Sequence, residues 1–226
     1  MQPGVPAAAV RHVFYLHGFA SSPQSSKATF FSERLAARGI RMECPDLNQP
    51  DFFTLTVSRM LAQLETRVAA LPPGGVVLIG SSLGGLVAVE AAARQADAAR
   101  HPITQLVLLA PAVELEWEKW TEVTPVGIEG WRAAGAIDVF HYAFEGNRRL
   151  AFAFYEDAAR YDASARRLSQ PMLIFQGRHD ESVSPASVER FAAAQPHATL
   201  CLLDDGHQLK DSLQFIWEKT AAALGL

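Results

Sequence analysis

The chain has little of what marks several common protein classes. Only two cysteines occur in 226 residues, Cys44 and Cys201. Both sit in apolar, strand-like segments, so buried reduced thiols are expected in place of a disulfide framework, and neither stands at metal-ligand spacing. No basic run is present and the formal net charge is −4, which argues against nucleic acid as a partner, since neutralising a phosphate backbone takes concentrated Lys and Arg. No apolar stretch approaches the ~18 residues of a membrane span. Met1 to Ala9 has no charged segment leading into an apolar one, as a secretory leader would. Repeats and low-complexity tracts are also missing. What remains is the expectation of a soluble, cytoplasmic protein, a monomer or small homo-oligomer. Its 49% hydrophobic composition suffices for the core of a single α/β domain over 1–226.

Apolar runs alternate with helical periodicity along most of the chain. Strands are expected at His12 to Leu16, Ile40 to Cys44, Val76 to Ile79, Ile103 to Leu109, Met172 to Gln176 and Ala198 to Leu203. Helical spacing fills the intervals: from Ser25-Ser26-Lys27 to Gly39, Phe53 to Leu71, after Gly84 to about Ala99, Pro185 to Ala194, and about Leu209 to Leu224. Such alternation implies a mostly parallel sheet of about six strands flanked by helices, with ligands binding beyond the carboxyl ends of the strands. The alternation stops between Pro111 and Tyr161. That segment shows no clear strand and holds ten of the 21 aromatics. It exceeds what a crossover needs, and an aromatic-rich cap over 111–165 is expected, although the aromatics could instead simply fill an irregular crossover.

Gly80-Ser81-Ser82-Leu83-Gly84 joins the third strand to its helix. This is a G-x-S-x-G pattern, in which a sharp turn presents the central serine and the flanking positions must be small for strand and helix to approach. Centring the pattern on Ser81 would put Ile79 and Leu83 at those positions, so Ser82 is the candidate nucleophile. A serine needs a base and a carboxylate to orient it. Asp180 follows the fifth strand and His207 the sixth, giving the chain order Ser, Asp, His of the α/β-hydrolase arrangement. Glu181, Asp204 and Asp205 are alternatives for the carboxylate; His17 and His179 also lie at strand ends but do not come after the acid. Oxyanion donors are expected from the N–H groups of Leu83 and Phe19, with Gly18 allowing close approach and His17 fastening the loop. The helix beginning near Leu83 adds a favourable dipole. Ser21, Ser22, Ser25 and Lys27 read as a capped helix start more simply than as an anion site. Trp117, Trp120, Phe140 and Tyr142, with His17 and Gly18, are candidates to line the substrate site.

His17-Gly18-Phe19-Ala20-Ser21-Ser22-Pro23-Gln24-Ser25-Ser26-Lys27, Pro45-Asp46-Leu47 and Gly80 to Gly85 together resemble the small bacterial YqiA-type esterases. The likeness covers the first 90 or so residues and returns at Gly177 to Pro185 and Gly206-His207. It implies an α/β-hydrolase fold and esterase activity, and it agrees with Ser82, Asp180 and His207 as the triad. The expected reaction is cleavage of a short to medium acyl or aromatic carboxylic ester, a small-molecule substrate, through an acyl-enzyme, with no metal or other cofactor. A thioesterase or another triad hydrolase, or a binding module on the same fold, is the alternative.

Overall fold

The computed structural model describes residues 12–95, 99–117 and 125–226. Six parallel strands form the main sheet: β1 (His12–Leu16), β2 (Met42–Glu43), β3 (Val76–Ser81), β4 (Ile103–Leu109), β7 (Met172–Gly177) and β8 (Ala198–Leu203), in the spatial order β2-β1-β3-β4-β7-β8. The central strands are apolar on both sides because helices cover both faces. Alternation by two sorts their residues. Val13 and Tyr15, Val77 and Ile79, Val107 and Leu109, and Leu173 and Phe175 pack against α1 (Ser26–Ala36) and α7 (Leu213–Leu224), through Phe31, Leu35, Ile216 and Trp217. The intervening Phe14, Leu16, Leu78, Leu106, Leu108 and Ile174 face α2 (Val57–Ala69), α3 (Leu83–Arg94) and α6 (Pro185–Ala193).

The expected elements are recovered with shifted ends. Helix α2 starts at Val57, where Thr56 accepts from the Arg59 N–H, and not at Phe53, because Thr54 is drawn into a turn on the Asp51 carboxylate. Helix α7 starts at Leu213 and not near Leu209, which lies at φ +52° in the turn ahead of it. Helix α3 ends at Arg94, capped by Gln95 in the left-handed region, short of Ala99. Edge strand β2 has two residues where five were expected. Cys44 and Cys201 are free, and each is half-buried, less enclosed than expected.

The larger correction lies between β4 and β7. The segment read as lacking strands contains α4 (Gly127–Ala134), the antiparallel hairpin β5 (Ala136–His141) and β6 (Gly146–Ala151), and α5 (Ala153–Ala158). Ile137, Val139 and His141 point inward from β5 while Asp138 and Phe140 face out, the period of a half-buried strand. Trp131, Leu150, Phe152 and Phe154 join this segment to the core on the α2 and α3 side. Its Trp131 Nε1 donates to the Leu150 carbonyl oxygen at 3.3 Å, which pins helix α4 to the hairpin.

Candidate active site

The turn from β3 into α3 is built by what its glycines leave out. A Cβ at Gly80 would lie 2.8 Å from the Gly84 carbonyl carbon, and one at Gly85 would lie 2.7 Å from Pro111 Cβ. With those contacts empty, strand and helix close to a distance that forces Ser82 to φ +52°, ψ −119°. An L-residue pays for that geometry with strain, which persists only when its surroundings impose it. Here they do: the Ser82 N–H donates to the Leu109 carbonyl, and the Ser82 carbonyl accepts from the N–H groups of Gly85 and Ala112. The side chain is left at the carboxyl edge of the sheet.

His207 and Asp180 arrive at the same edge from the ends of β8 and β7. His207 Nε2 lies 3.1 Å from Ser82 Oγ, and Nδ1 lies 2.9 Å from Asp180 Oδ2. Asp180 is further held by the N–H groups of Ser182 and Val183 on Oδ1, at 2.9 and 2.8 Å. Burial pushes its carboxyl up, but the His207 hydrogen bond and charge, the Val183 N–H and the Gln176 amide outweigh that and hold it below its ordinary value. An ionised Asp180 makes Nδ1 the protonated nitrogen and leaves Nε2 free to accept from Ser82. The other carboxylates considered are bonded elsewhere or face solvent. Asp204 accepts from His179 at 2.7 Å, Asp205 accepts from the Asp211 and Ser212 N–H groups, and Glu181 is exposed.

The loop after β1 closes over the serine. A Cβ at Gly18 would sit 3.2 Å from Ser82 Cβ and 3.9 Å from Oγ, so the bare Gly18 backbone lies against the Ser82 side chain. His17 is buried below this loop. Its Nε2 accepts from the Leu47 N–H at 3.0 Å, so its Nδ1 carries the proton and donates to the Gly18 carbonyl at 2.9 Å. That bond fixes one side of the Gly18–Phe19 peptide and thereby turns the Phe19 N–H to the opposite side. Asn48 Nδ2 donates to the Ser21 carbonyl at 2.8 Å, and the Tyr142 N–H, from the tip of the β5–β6 hairpin, donates to the Ala20 carbonyl at 3.0 Å.

The aromatic candidates divide by position. Phe19 packs against Phe52 and Phe154 at centroid distances of 5.6 and 5.4 Å, and Trp117 meets Phe154 at 6.0 Å, forming a wall beside the loop. Phe140 and Tyr142 contact each other on the outside of the hairpin and are 51% and 68% exposed. Trp120 lies outside the described residues. Among the described residues, no group of His, Cys, Asp and Glu could hold a metal ion, and no helix is long and apolar enough to cross a membrane. Gln176 was missed in the sequence. It is fully buried at the end of β7, and its amide donates to Asp180 Oδ2 at 2.9 Å; its signal was a polar side chain closing an otherwise apolar strand.

The parallel sheet with its strained serine turn, and acid and histidine at the next strand ends, defines the α/β-hydrolase fold. Within that class the chain belongs to the uncharacterised protein family UPF0227, whose model matches residues 12–222. Est1E from Butyrivibrio proteoclasticus, solved with ferulic acid bound, superposes with a TM-score of 0.78 at 19% identity, over 96% of this chain and 89% of that one. A protein of the alpha/beta hydrolase superfamily from Xanthomonas campestris pv. campestris is 27% identical over 95% of this chain and 98% of that one, with a TM-score of 0.61. Mouse alpha/beta hydrolase domain-containing protein 10 gives 0.77 at 18% identity, covering 96% and 91%. No curated protein matches.

Proposed function

We propose that the protein is a serine hydrolase that cleaves carboxylic esters through an acyl-enzyme on Ser82. The observation that carries this reading is the unbroken chain from Ser82 Oγ through both ring nitrogens of His207 to Asp180, at 3.1 and 2.9 Å. His207 takes the hydroxyl proton as Oγ attacks the acyl carbonyl. Asp180 keeps the imidazole in its Nδ1–H tautomer and stabilises the imidazolium that forms. The N–H groups of Phe19 and Leu83 receive the oxyanion, Leu83 from the first turn of α3, whose dipole favours the developing charge. His207 then protonates the leaving alcohol, and a water deprotonated by the same ring releases the acid. These steps call on no metal or cofactor.

The wall of Phe19, Phe52, Phe154 and Trp117 favours an acyl or alcohol group that is apolar or aromatic, with segment 111–165 acting as a cap. The aromatic acid bound by Est1E, on a similar fold, supports the same substrate class. Gly18 and Trp117 flank the ester in this reading, while Phe140 and Tyr142 stand at the outer rim. Ser82→Ala is the test. It should lower p-nitrophenyl ester hydrolysis by ~10³ or more with an unchanged melting temperature, and it should abolish labelling by a fluorophosphonate. Activity retained in the variant refutes the assignment of Ser82; a wild type that neither hydrolyses nor labels points to a binding module.

A further inference from the structure

Lys27 is a buried cation outside the reaction just described. Its side chain leaves the first turn of α1 and is 7% exposed, unusual for lysine unless the charge is partnered. Its Nζ donates to the Gln208 carbonyl oxygen at 3.1 Å, across 181 residues of sequence. Gln208 is the residue after His207. The charged groups around the ammonium are the carboxylates of Asp180 and Asp205 and the ammonium of Lys210. The loop it touches is a tight one: the Leu209 N–H donates back to the Gly206 carbonyl at 3.2 Å, and Leu209 is fully buried at φ +52°. Asp205 secures the far side of this loop through the Asp211 and Ser212 N–H groups.

We infer that Lys27 is a positioning residue for His207, tying helix α1 to the main chain beside the base so that the imidazole stays in line with Ser82. The inference rests on the serine-hydrolase reading above. Stability alone does not account for the residue. Burial, only partly offset by Asp180 and Asp205, pulls its pKa from 10.5 down to about 8. A base held below its unfolded value destabilises the fold at every pH under the folded value, and the penalty is relieved only as pH rises from about 8 to 10.5. A methionine of similar length would avoid that penalty, since replacing a buried charge with an apolar side chain is often neutral or stabilising.

The test compares Lys27→Met and Lys27→Arg with wild type in ester kinetics, thermal melts and hydrogen exchange over residues 204–212. The methionine variant should lose ~10-fold or more in kcat with KM within about twofold, because a misaligned base affects the transition state and not substrate binding. Its Tm should equal or exceed that of wild type, and exchange should quicken in 204–212 alone. The arginine variant should recover a good part of kcat. Wild-type kcat or unchanged exchange in Lys27→Met would overturn the inference, as would a kcat loss accompanied by a lower Tm and exchange rising throughout. If the wild type neither hydrolyses esters nor reacts with a fluorophosphonate, the hydrolase reading fails by itself, and the exchange comparison still decides whether Lys27 holds the loop.

Discussion

A methyl group added at Gly84 has nowhere to go. Its carbon would fall well inside contact with the Leu16 carbonyl oxygen, 2.6 Å from that carbonyl's carbon and 2.8 Å from the His17 oxygen. All three are backbone atoms at the end of β1, so no side chain can rotate out of the way. Carbon normally keeps about 3.5 Å from such neighbours, so β1 and α3 must separate by about 1 Å. Overpacking of this kind costs about 3 kcal/mol, and alanine's better helix propensity returns about 1 kcal/mol. The net loss of about 2 kcal/mol should lower Tm by about 4–8 °C for a domain of this size. The displaced strand end also carries His17 and the Gly18–Phe19 peptide, and a shift of about 1 Å there should cost ~10²-fold in kcat. Gly146→Ala is the control, because its Cβ would meet nothing nearer than 3.7 Å. Melting curves and p-nitrophenyl ester kinetics on both variants decide the matter: a Gly84→Ala protein with wild-type Tm and kcat would refute the claim that this contact sets the approach of the two elements.

Asp180→Asn should lower kcat by ~10³–10⁴ with little change in KM, since a neutral amide no longer enforces the His207 tautomer. The same variant bears on acid stability: a carboxylate held below its usual 3.8 stabilises the fold above that pH and loses the contribution as pH falls through its lower folded value. Tm measured from pH 5 to pH 2 should therefore fall less steeply in Asp180→Asn than in wild type. His141 should act in the pH range above this. Its ring is fully buried with neither nitrogen hydrogen-bonded, and burial, then His17 and Arg148, lower its pKa from 6.5 against the pull of Asp46. The unfolded chain thus binds more protons below 6.5, so stability should decline as pH falls from there, and His141→Phe should flatten Tm between pH 7 and pH 5. An equally steep decline in that variant would assign the effect to another group.

The sheet and its polar strand ends were legible because short loops leave little freedom: Ser82, Asp180 and His207 each follow a strand closely, so chain order alone nearly determines their meeting. The hairpin was hidden by its second strand. Asn147, Arg148 and Arg149 are all exposed in succession, which breaks the alternation that Ile137, Val139 and His141 display on β5. Gln176 looked like the polar end of an apolar strand, and only the return of the Asp180 loop gives its amide a task. Lys27 stands in a capped helix start, as its sequence context implies, with Ser25 Oγ accepting from the Ala28 N–H. Its partner lies at the other end of the chain, where no local pattern could point to it. His17 was legible as a fastener of its loop, but the bond to Leu47 depends on how β2 shortens into the Pro45-Asp46-Leu47 turn.

The sequence separation of 125 between Ser82 and His207 imposes a timetable. During synthesis the serine turn, its glycines and the loop after β1 are all present long before the histidine emerges, and Asp180 follows without the ring it orients. In the serine-hydrolase reading Ser82 gains its base only when β8 docks on β7, so a half-made chain would carry an idle serine. Reaction with a fluorophosphonate would then report more than chemistry: it would mark the moment at which the last strand has reached its place.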